Sequence, residues 1–201
     1  MDKKTILVWF VSFLLILVAG MAVFLFTAPA KFRGTTYDKP YPVASDFELT
    51  RSDGSSFRLH ETRGNVTLLF FGYTSCPDVC PTTMAELKLA LSKLNPKDAD
   101  RVKVLFVTVD PKRDTPERVQ TYVGRFNPAF IGLSGTQAQL DKVWQAYGVF
   151  RLEVTDTSAV NYSLDHTARI TMIDQDGNMR VSFGVDAPVE DIVHDLELLL
   201  K

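Results

Sequence analysis

The sequence lacks the features that mark nucleic-acid-binding, repetitive or low-complexity proteins. Its formal net charge is −2, from 22 basic and 24 acidic side chains, and it carries no basic stripe or patch of the kind that a nucleic-acid surface shows. It contains no internal repeat, and no low-complexity run beyond one short segment rich in proline and glycine. These absences exclude nucleic acid as a partner and leave one domain of ordinary size with a smaller additional segment.

The smaller segment is an apolar run near the N-terminus. The residues from Ile6 to Phe26 include no charged side chain, and the run is long enough to cross a bilayer as a helix. A cleaved signal sequence would usually carry an apolar region of about 7–15 residues before a small-residue cleavage site. "TAPA" (27–30) matches such a site only loosely, so cleavage is the alternative. We expect a short tail over residues 1–5 and a transmembrane anchor over residues 6–27.

Charge does not orient this predicted span. Two basic residues precede it and two follow it closely, so the positive-inside count is a tie. The next segment, residues 28–45, is rich in proline, glycine and small polar residues and has no helical or alternating period, which predicts a linker. We therefore expect the folded domain over residues 46–201.

Strand and helix patterns alternate along this domain. "DFELT" and "SFRLH" predict two short strands around the turn "RSDG", and the apolar runs "NVTLLFFGY" and "RVKVLFVTVD" predict strands that are buried on both faces. "ARITMIDQDGNMRVSFG" predicts a hairpin that turns at Asp176-Gly177. The strands are interspersed with helical patterns, which favours an α/β layer fold with a mixed sheet and helices on both faces.

The helices are indicated by apolar spacing and by their ends. One helix follows the cysteines, a second starts at Asp114 or Thr115 as a cap with Pro116 in its first turn, and a third ends at Gly148. "PVEDIVHDLELLLK" predicts an amphipathic helix at the end of the sequence. The helix after the cysteines is identified by one apolar face, formed by Met84, Leu87, Leu91 and Leu94.

The two cysteines, Cys76 and Cys80, lie where a buried strand is predicted to end and a helix to begin. Pro81 can be accommodated only in a first helical turn, because deeper in the helix it would lose a backbone bond and clash with the preceding turn. The thiols are therefore expected at a helix N-terminus, where free N–H groups and the helix dipole stabilise a thiolate. Ligands of open α/β sheets also bind at the carboxyl ends of strands.

Several roles are open to such a pair of thiols. A disulfide closing a loop of about five residues would contribute only about 2 kcal/mol to stability in the chain-entropy model, so a purely structural role is disfavoured. The polar, proline-flanked context disfavours two reduced cysteines that pack as small hydrophobes. Dithiols that exchange disulfides usually have two residues between the sulfurs, and here there are three. Asp78 opposes ionisation of the empty pair and favours a bound cation, so a metal site is favoured.

A histidine would complete a site for a soft metal such as copper, because sulfur and imidazole suit that ion. Of the three histidines, His60 lies in a polar loop and His194 beside the apolar face of the last helix, so we interpret both as solvent-exposed. His166 in "LDHTARITMID" lies just ahead of a strand that we expect beside the cysteine-bearing strand. It is the candidate third ligand. A structural zinc site would need a fourth protein ligand, and the sequence offers no good candidate.

Three motifs in order, "FGYTSCPDVCPTT", "VTVDPKRDTPE" and "LDHTARITMID", resemble the Sco/SenC family of copper-binding, thioredoxin-like proteins that serve cytochrome c oxidase assembly. The resemblance covers about residues 42–200. It implies a thioredoxin-like fold and copper, as Cu(I) or Cu(II), bound by Cys76, Cys80 and His166. It also implies a domain on the extracytoplasmic side of a bacterial inner membrane or in the mitochondrial intermembrane space. The metal or electrons would pass to oxidase subunit II, where the dinuclear copper centre is built. Another copper chaperone or a thiol reductase is a further candidate partner.

Two acidic residues are candidates for positioning the metal ligands or for contacting a partner. Asp110 matches the acidic residue of the family's second motif, and the alternative role is to cap the turn "DPKRD". Asp78, between the thiols, is the other candidate. Asp165 is a weaker candidate for orienting His166, because neighbouring residues of a strand point to opposite faces.

The sequence leaves two functions open. The first is a copper metallochaperone. The second is a thiol-disulfide reductase for the oxidase's own cysteines, with Cys76 attacking and Cys80 resolving. The segment "LDHTAR" lacks the cis-proline that thioredoxin-like oxidoreductases usually carry there, which disfavours a broad disulfide-exchange enzyme. Metal binding should fail without His166, whereas dithiol exchange should largely survive. Ser75 departs from the histidine that relatives often have before the first cysteine.

Overall fold

The computed structural model describes residues 2–27, 31–155 and 162–201. The chain divides into two compact units, Met1–Lys31 and Phe32–Lys201. The first unit contains helix α1 (Lys3–Thr27), and its described side chains, residues 7–21, are all exposed. Within the described residues, no helix combines the length and the apolarity that a membrane span requires.

The second unit is built on a mixed six-stranded sheet. In sheet order the strands are β1 (Thr35–Thr36), β10 (Met179–Gly184), β9 (Arg169–Ile173), β4 (Val66–Gly72), β5 (Val102–Thr108) and β6 (Ile131–Leu133). Strand β4 lies at the centre, parallel to β5 and antiparallel to β9, and β6 continues the sheet parallel to β5. On the other side, β10 pairs antiparallel with β9 and β1 pairs antiparallel with β10.

Both faces of this sheet are covered. All seven residues of β4 and six of the seven in β5 are buried, which requires packed layers above and below the sheet. The helices of this unit are α2 (Val79–Lys93), α3 (Pro96–Ala99), α4 (Pro116–Gly124), α5 (Gln137–Ala146) and α6 (Val189–Leu199). Helices α2 and α6 pack against each other, and α4 packs against β5 and β6. The predicted α/β fold with a mixed sheet and helices is confirmed.

The predicted helix ends agree with the local geometry. Thr115 is the N-cap of α4, and its hydroxyl accepts a hydrogen bond from the N–H of Arg118, with Pro116 in the first turn. After α5, Gly148 adopts a φ of 64°, a left-handed conformation that ends helices and that glycine adopts without a Cβ penalty. Of the two predicted caps, Asp114 is therefore free for another role.

Two small hairpins accompany the sheet. The first, β2 (Glu48–Thr50) with β3 (Ser56–Arg58), is the predicted pair and leads into a 3₁₀ turn at Leu59–Thr62. The second, β7 (Arg151–Thr155) with β8 (Tyr162–His166), was not predicted. The apolar side chains of β7 are exposed, so the segment lacks the buried run that marks a strand in the sequence.

The second unit begins at Phe32, earlier than the Asp46 expected from composition. Strand β1 lies in the segment predicted as a linker and pairs with β10, and Ala44 is buried. A Cβ at Gly34 would overlap the side chains of Val181 and Phe183, which belong to β10. The carboxylate of Asp195 accepts hydrogen bonds from backbone N–H groups of this segment. A two-residue edge strand held by backbone bonds has no apolar signature, so composition did not reveal it.

The order of the strands gathers three motifs at one edge of the sheet. Because β4 and β5 are parallel, the cysteine loop after Gly72 and the acidic turn after Thr108 leave the sheet on the same side. Strand β9 runs antiparallel beside β4, so the residues that precede it also lie at this edge. The prediction that the strand after His166 lies next to the cysteine-bearing strand is confirmed.

Candidate metal centre

The cysteine loop joins the end of β4 to the start of α2. Cys76 lies in the turn and Cys80 in the first turn of the helix, as predicted from Pro81. The helix N-cap is Asp78, but its side chain makes no capping hydrogen bond. Instead, the backbone N–H of Cys80 donates to the Sγ atom of Cys76 at 3.4 Å. The sulfur therefore takes the acceptor place that a capping oxygen usually fills.

The Cys80 sulfur is packed against the end of β4. Cys80 is fully buried, whereas Cys76 is half-buried. A Cβ at Gly72 would lie 2.8 Å from the Sγ atom of Cys80 and 2.9 Å from the ring of Phe106, closer than packed atoms tolerate. Glycine at this position is therefore what makes room for the second sulfur.

His166 ends β8 and faces the sulfurs. Its Nε2 atom lies 3.7 Å from the Sγ atom of Cys80, and its Nδ1 atom lies 3.1 Å from the carbonyl oxygen of Thr167. A carbonyl only accepts, so Nδ1 carries the hydrogen and Nε2 presents its lone pair to the sulfurs. The ring of Tyr73 meets the imidazole edge to face, with centroids 5.7 Å apart. The orienting contact thus comes from Thr167, while the side chain of Asp165 is exposed.

The structure brings Cys76, Cys80 and His166 together. One ligand atom from each lies within 4.8 Å of the others. Three ligand atoms that share one ion at about 2.0–2.3 Å lie about 3.5–4.0 Å apart, so a shift of less than about 1 Å would let this group hold a single metal. Both cysteines are free thiols, and two sulfurs with one imidazole form a soft donor set.

The two thiols differ in their proton affinity. A hydrogen bond from the Cys80 thiol, together with hydrogen bonds from the backbone N–H groups of Asp78 and Cys80, holds the pKa of Cys76 far below its usual range. The pKa of Cys80 is raised, because its thiol is bonded to Cys76 and is buried. The site therefore presents one thiolate at its more accessible sulfur, with a protonated thiol behind it.

Asp114 holds the loop before Cys76, a role that the sequence analysis missed. Its buried carboxylate accepts hydrogen bonds from the Thr74 N–H at 2.9 Å, the Thr74 hydroxyl at 2.6 Å and the Thr108 hydroxyl at 2.8 Å. It thereby ties the loop to the end of β5. Its place in "VTVDPKRDTPE" was a usable signal, but we weighed it only as a helix cap.

The position before Cys76 is held by a neighbouring arginine. The guanidinium of Arg118 donates to the Ser75 hydroxyl at 3.0 Å and to the Thr74 hydroxyl at 2.8 Å. The serine that departs from the family pattern thus contributes a hydrogen-bond acceptor to the loop.

Asp110 is buried and contacts the strand that carries His166. Its carboxylate accepts a hydrogen bond from the Tyr162 hydroxyl at 2.6 Å and another from the Arg113 guanidinium. That guanidinium stacks on the Tyr162 ring at 3.8 Å and lies 5.7 Å from the centre of the Tyr73 ring. The Asp110 side chain therefore holds the start of β8 in place. Its backbone carbonyl also accepts a hydrogen bond from the Arg113 N–H, which closes the turn.

The ligand group opens into a cleft of about 470 Å³. Asp78 lies on one side of the cleft and Asp165 on the other, and both side chains are exposed. The rim of the site is therefore negatively charged, while its floor consists of the half-buried Cys76 and His166. An incoming protein ligand can reach the metal position through this opening.

The other two histidines lie outside the ligand group. The Nδ1 atom of His60 lies 2.7 Å from a carboxylate oxygen of Asp46, and its side chain is about half exposed. His194 lies 2.8 Å from the carboxylate of Asp195 on α6. Each pairs with a carboxylate instead of facing the sulfurs.

Fold and site define the class of the protein: it is a thioredoxin-like α/β protein with a two-cysteine, one-histidine ligand group at the junction of strand and helix. The particular family follows from direct comparison. The SCO1/SenC family model matches residues 35–201, and the chain belongs to that family.

Individual relatives extend this finding. A SCO2-like protein from Rickettsia felis is 37% identical over 162 residues, which are 80% of this chain and 78% of the relative. The solution structure of apo Sco1 from Thermus thermophilus is 40% identical, with a TM-score of 0.76 over 86% of this chain and 99% of that one. Bradyrhizobium japonicum ScoI, solved with copper bound, is 39% identical, with a TM-score of 0.70 over 78% of this chain and 99% of that one.

Proposed function

We propose that the protein is a copper metallochaperone. It binds one copper ion through Cys76, Cys80 and His166, and it delivers the ion to, or prepares, the dinuclear copper site of cytochrome c oxidase subunit II. The observation that carries the proposal is the convergence of the three ligand atoms within 4.8 Å. The copper-bound relative from Bradyrhizobium japonicum supports the choice of metal, and the family resemblance supports the oxidase as the destination.

The donor set favours copper over zinc. Two thiolates and one imidazole give a three-coordinate site that suits Cu(I), while structural zinc is almost always held by four ligands. In the described residues, the converging group contains three such ligands. The side of the ion facing the cleft is left for a ligand from the acceptor, which attacks the metal before this chain releases it.

Each ligand has a prepared role. The pKa of Cys76 is lowered, so this sulfur provides the first thiolate for an incoming ion. The Thr167 carbonyl holds the imidazole so that Nε2 faces the metal position. Cys80 loses its proton as the metal binds, because coordination requires a thiolate. Both sulfurs must be reduced before any of these steps.

The cellular setting is part of the proposal. Residues 6–27 anchor the chain in the membrane as a single span after the tail 1–5, since the uncharged run from Ile6 to Phe26 has the length that a bilayer requires. By family resemblance, the domain faces the periplasm or another extracytoplasmic space. A second copper chaperone or a thiol reductase supplies metal or electrons.

The asymmetry of the thiols favours a second candidate, a thiol-disulfide reductase that keeps the oxidase's copper-ligand cysteines reduced. The Cys76 thiolate would attack a substrate disulfide, forming a mixed disulfide and releasing one substrate thiolate. Cys80, after losing its proton, would attack the Cys76 sulfur and release the second substrate thiolate. This chain would end as the Cys76–Cys80 disulfide and the substrate as a dithiol, with two electrons transferred. The low pKa and half-exposed position of Cys76 support the attacking role.

Copper stoichiometry and visible absorption distinguish the two candidates. The reduced protein is loaded with copper and desalted, as wild type, His166→Ala and the control His60→Ala. One copper per chain with a thiolate-to-copper band, lost or shifted only in His166→Ala, supports the chaperone. Absence of stable copper, with disulfide reduction that is unaffected by His166→Ala, would reject the chaperone and favour the reductase.

A further inference from the structure

An apolar stripe lies on the outer face of the β7–β8 hairpin. Phe150 is 64% exposed, Leu152 is 53% exposed and Val154 is 39% exposed. Phe150 directly precedes β7, and its carbonyl accepts a hydrogen bond from the Thr167 N–H at 2.9 Å, so it continues the pairing of the hairpin. The three residues alternate along the chain, and alternate residues of an extended strand point to one face. Single exposed apolar side chains are ordinary, but a contiguous row on one face is a mark of an interaction site.

The stripe borders the cleft of the metal centre. In the hairpin register, Leu152 lies opposite Asp165 and Val154 lies opposite Ser163, and opposite residues share a face. Asp165 and Ser163 also line the cleft together with Cys76. A protein surface laid over the stripe therefore reaches the rim of this cleft at Asp165.

The opposite face of the hairpin is occupied by the domain itself. Arg151 pairs with His166 in the register, and its guanidinium lies 5.1 Å from the centre of the Trp144 ring. Leu164 is buried in the core. These contacts fix the hairpin from the inside, so the outer face keeps its position beside the cleft.

The charges at the rim specify the chemistry of the occupant. Asp78 and Asp165 are exposed carboxylates on the two sides of the opening. A surface that covers the stripe must bring basic side chains next to these groups, since like charges would oppose docking. An anionic membrane surface is disfavoured for the same reason.

We propose that the stripe of Phe150, Leu152 and Val154 docks a metal-accepting protein domain whose own ligand site lies in an apolar surface edged by lysine or arginine. The inference rests on the proposed function, and it identifies the surface through which the partner is recognised. A stripe of three residues suits a small, transient interface. Such an interface is needed because the protein must release its partner after the metal has been transferred.

Direct binding tests this surface. The reduced, copper-free full chain in detergent micelles is titrated against the fluorescently labelled, metal-free copper domain of oxidase subunit II. Leu152→Ser and Phe150→Ser are compared with Leu89→Ser and Val43→Ser, which alter side chains that are 48% and 64% exposed elsewhere. We expect the hairpin variants to raise the dissociation constant about tenfold, as for a central apolar contact. The control variants should stay close to wild type.

A substitution that removes a rim charge provides an independent test. Asp165→Asn should slow association and weaken its dependence on salt, whereas Leu152→Ser should mainly speed dissociation. Equal affinities for hairpin and control variants would overturn the proposal, as would wild type that does not bind the domain. Self-association of the full chain that Leu152→Ser abolishes would overturn it too, because the occupant would then be a second copy.

Copper loading of the same samples separates this inference from the proposed function. Titration without metal measures docking whether or not the chain holds copper. Lost docking with one copper per chain in Leu152→Ser supports the stripe. Docking insensitive to the stripe, in a chain that still binds copper, rejects the stripe and leaves the proposed function in place.

Discussion

The Nε2 atom of His166 lies 3.7 Å from the Sγ atom of Cys80, although 86 positions separate the two residues in the chain. The sheet produces this contact. Strand β4 delivers the cysteines to its carboxyl end, and β9, paired antiparallel with β4, starts at the same edge just after His166. Strand β4 is buried at every position, so the fold itself, without a metal, places the two halves of the ligand group side by side.

The proton affinity of Cys76 leads to the first prediction. Its pKa is lowered, so the thiolate persists as the pH falls below the ordinary thiol value of about 8.5. Stability contributed by this ionised group is present above that value and is lost as the pH falls toward the folded-state pKa. We expect alkylation of the reduced, metal-free chain by iodoacetamide to be nearly constant from about pH 8 to 6, at Cys76 alone.

Mass spectrometry of the alkylated peptides checks this expectation. A model cysteine peptide under the same conditions should slow about tenfold for each pH unit below its pKa. Cys80 should stay unmodified in the folded chain, because its thiol is buried and its pKa is raised. If Cys76 slows in parallel with the model peptide, the thiolate assigned to this sulfur is wrong.

The sequence predicted those parts of the fold that leave a long apolar pattern. The run from Val66 to Gly72 is buried at every position and was predicted as a buried strand. Pro81 placed the cysteines at a helix start because proline is excluded from helix interiors. Both inferences rest on local rules that tertiary contacts did not override.

Contacts between polar residues were less accessible from the sequence. The sequence predicted Asp114 as a helix cap, but its carboxylate accepts hydrogen bonds from Thr74 and Thr108, which are 40 and 6 positions away. A buried carboxylate of this kind leaves no periodic signal, so its partners become visible only in the folded chain. The same holds for Asp110 and Tyr162, which meet across 52 positions.

The close approach of Cys80 to β4 gives the second prediction. Gly72→Ala would place a methyl group 2.8 Å from the Cys80 sulfur, and overpacking of this kind costs about 1–3 kcal/mol. We expect lower unfolding free energy in urea together with weaker copper retention, since the sulfur must move. Gly124→Ala is the matched control, because nothing lies within 4 Å of a Cβ there. Equal stability of the two variants would show that the space beside the Cys80 sulfur accommodates a methyl group without strain.

Arg113 gives the third prediction, because it joins Asp110 to the strand of His166. Arg113→Lys keeps the charge but loses the stack on Tyr162 and the bond to the Tyr162 carbonyl. We expect destabilisation by about 1–3 kcal/mol and faster hydrogen exchange in β8. Arg58→Lys, in an exposed pair with Glu48, should change stability by less than about 0.5 kcal/mol. Unchanged exchange in β8 would mean that this contact does not hold the strand.

The last prediction concerns the segment that the sequence predicted as a linker. The buried Asp195 carboxylate accepts hydrogen bonds from the backbone N–H of Arg33, at 2.9 and 3.0 Å, and from that of Gly34, at 2.9 Å. Asp195→Asn would turn an amide donor toward these N–H donors, an unsatisfied contact that costs about 1–3 kcal/mol. The segment should then open locally, and trypsin should cleave after Arg33 about ten times faster or more.

Helix α6 supplies a control for this prediction one turn away. Asp191 forms an ion pair with the Arg33 guanidinium at 2.9 Å, with both side chains partly exposed. Such pairs contribute about 0–1 kcal/mol, so Asp191→Asn should change the rate of cleavage only slightly. A large effect in Asp195→Asn alone assigns the attachment to the backbone bonds. Equal, small effects in both variants would mean that pairing of β1 with β10 suffices to hold the segment.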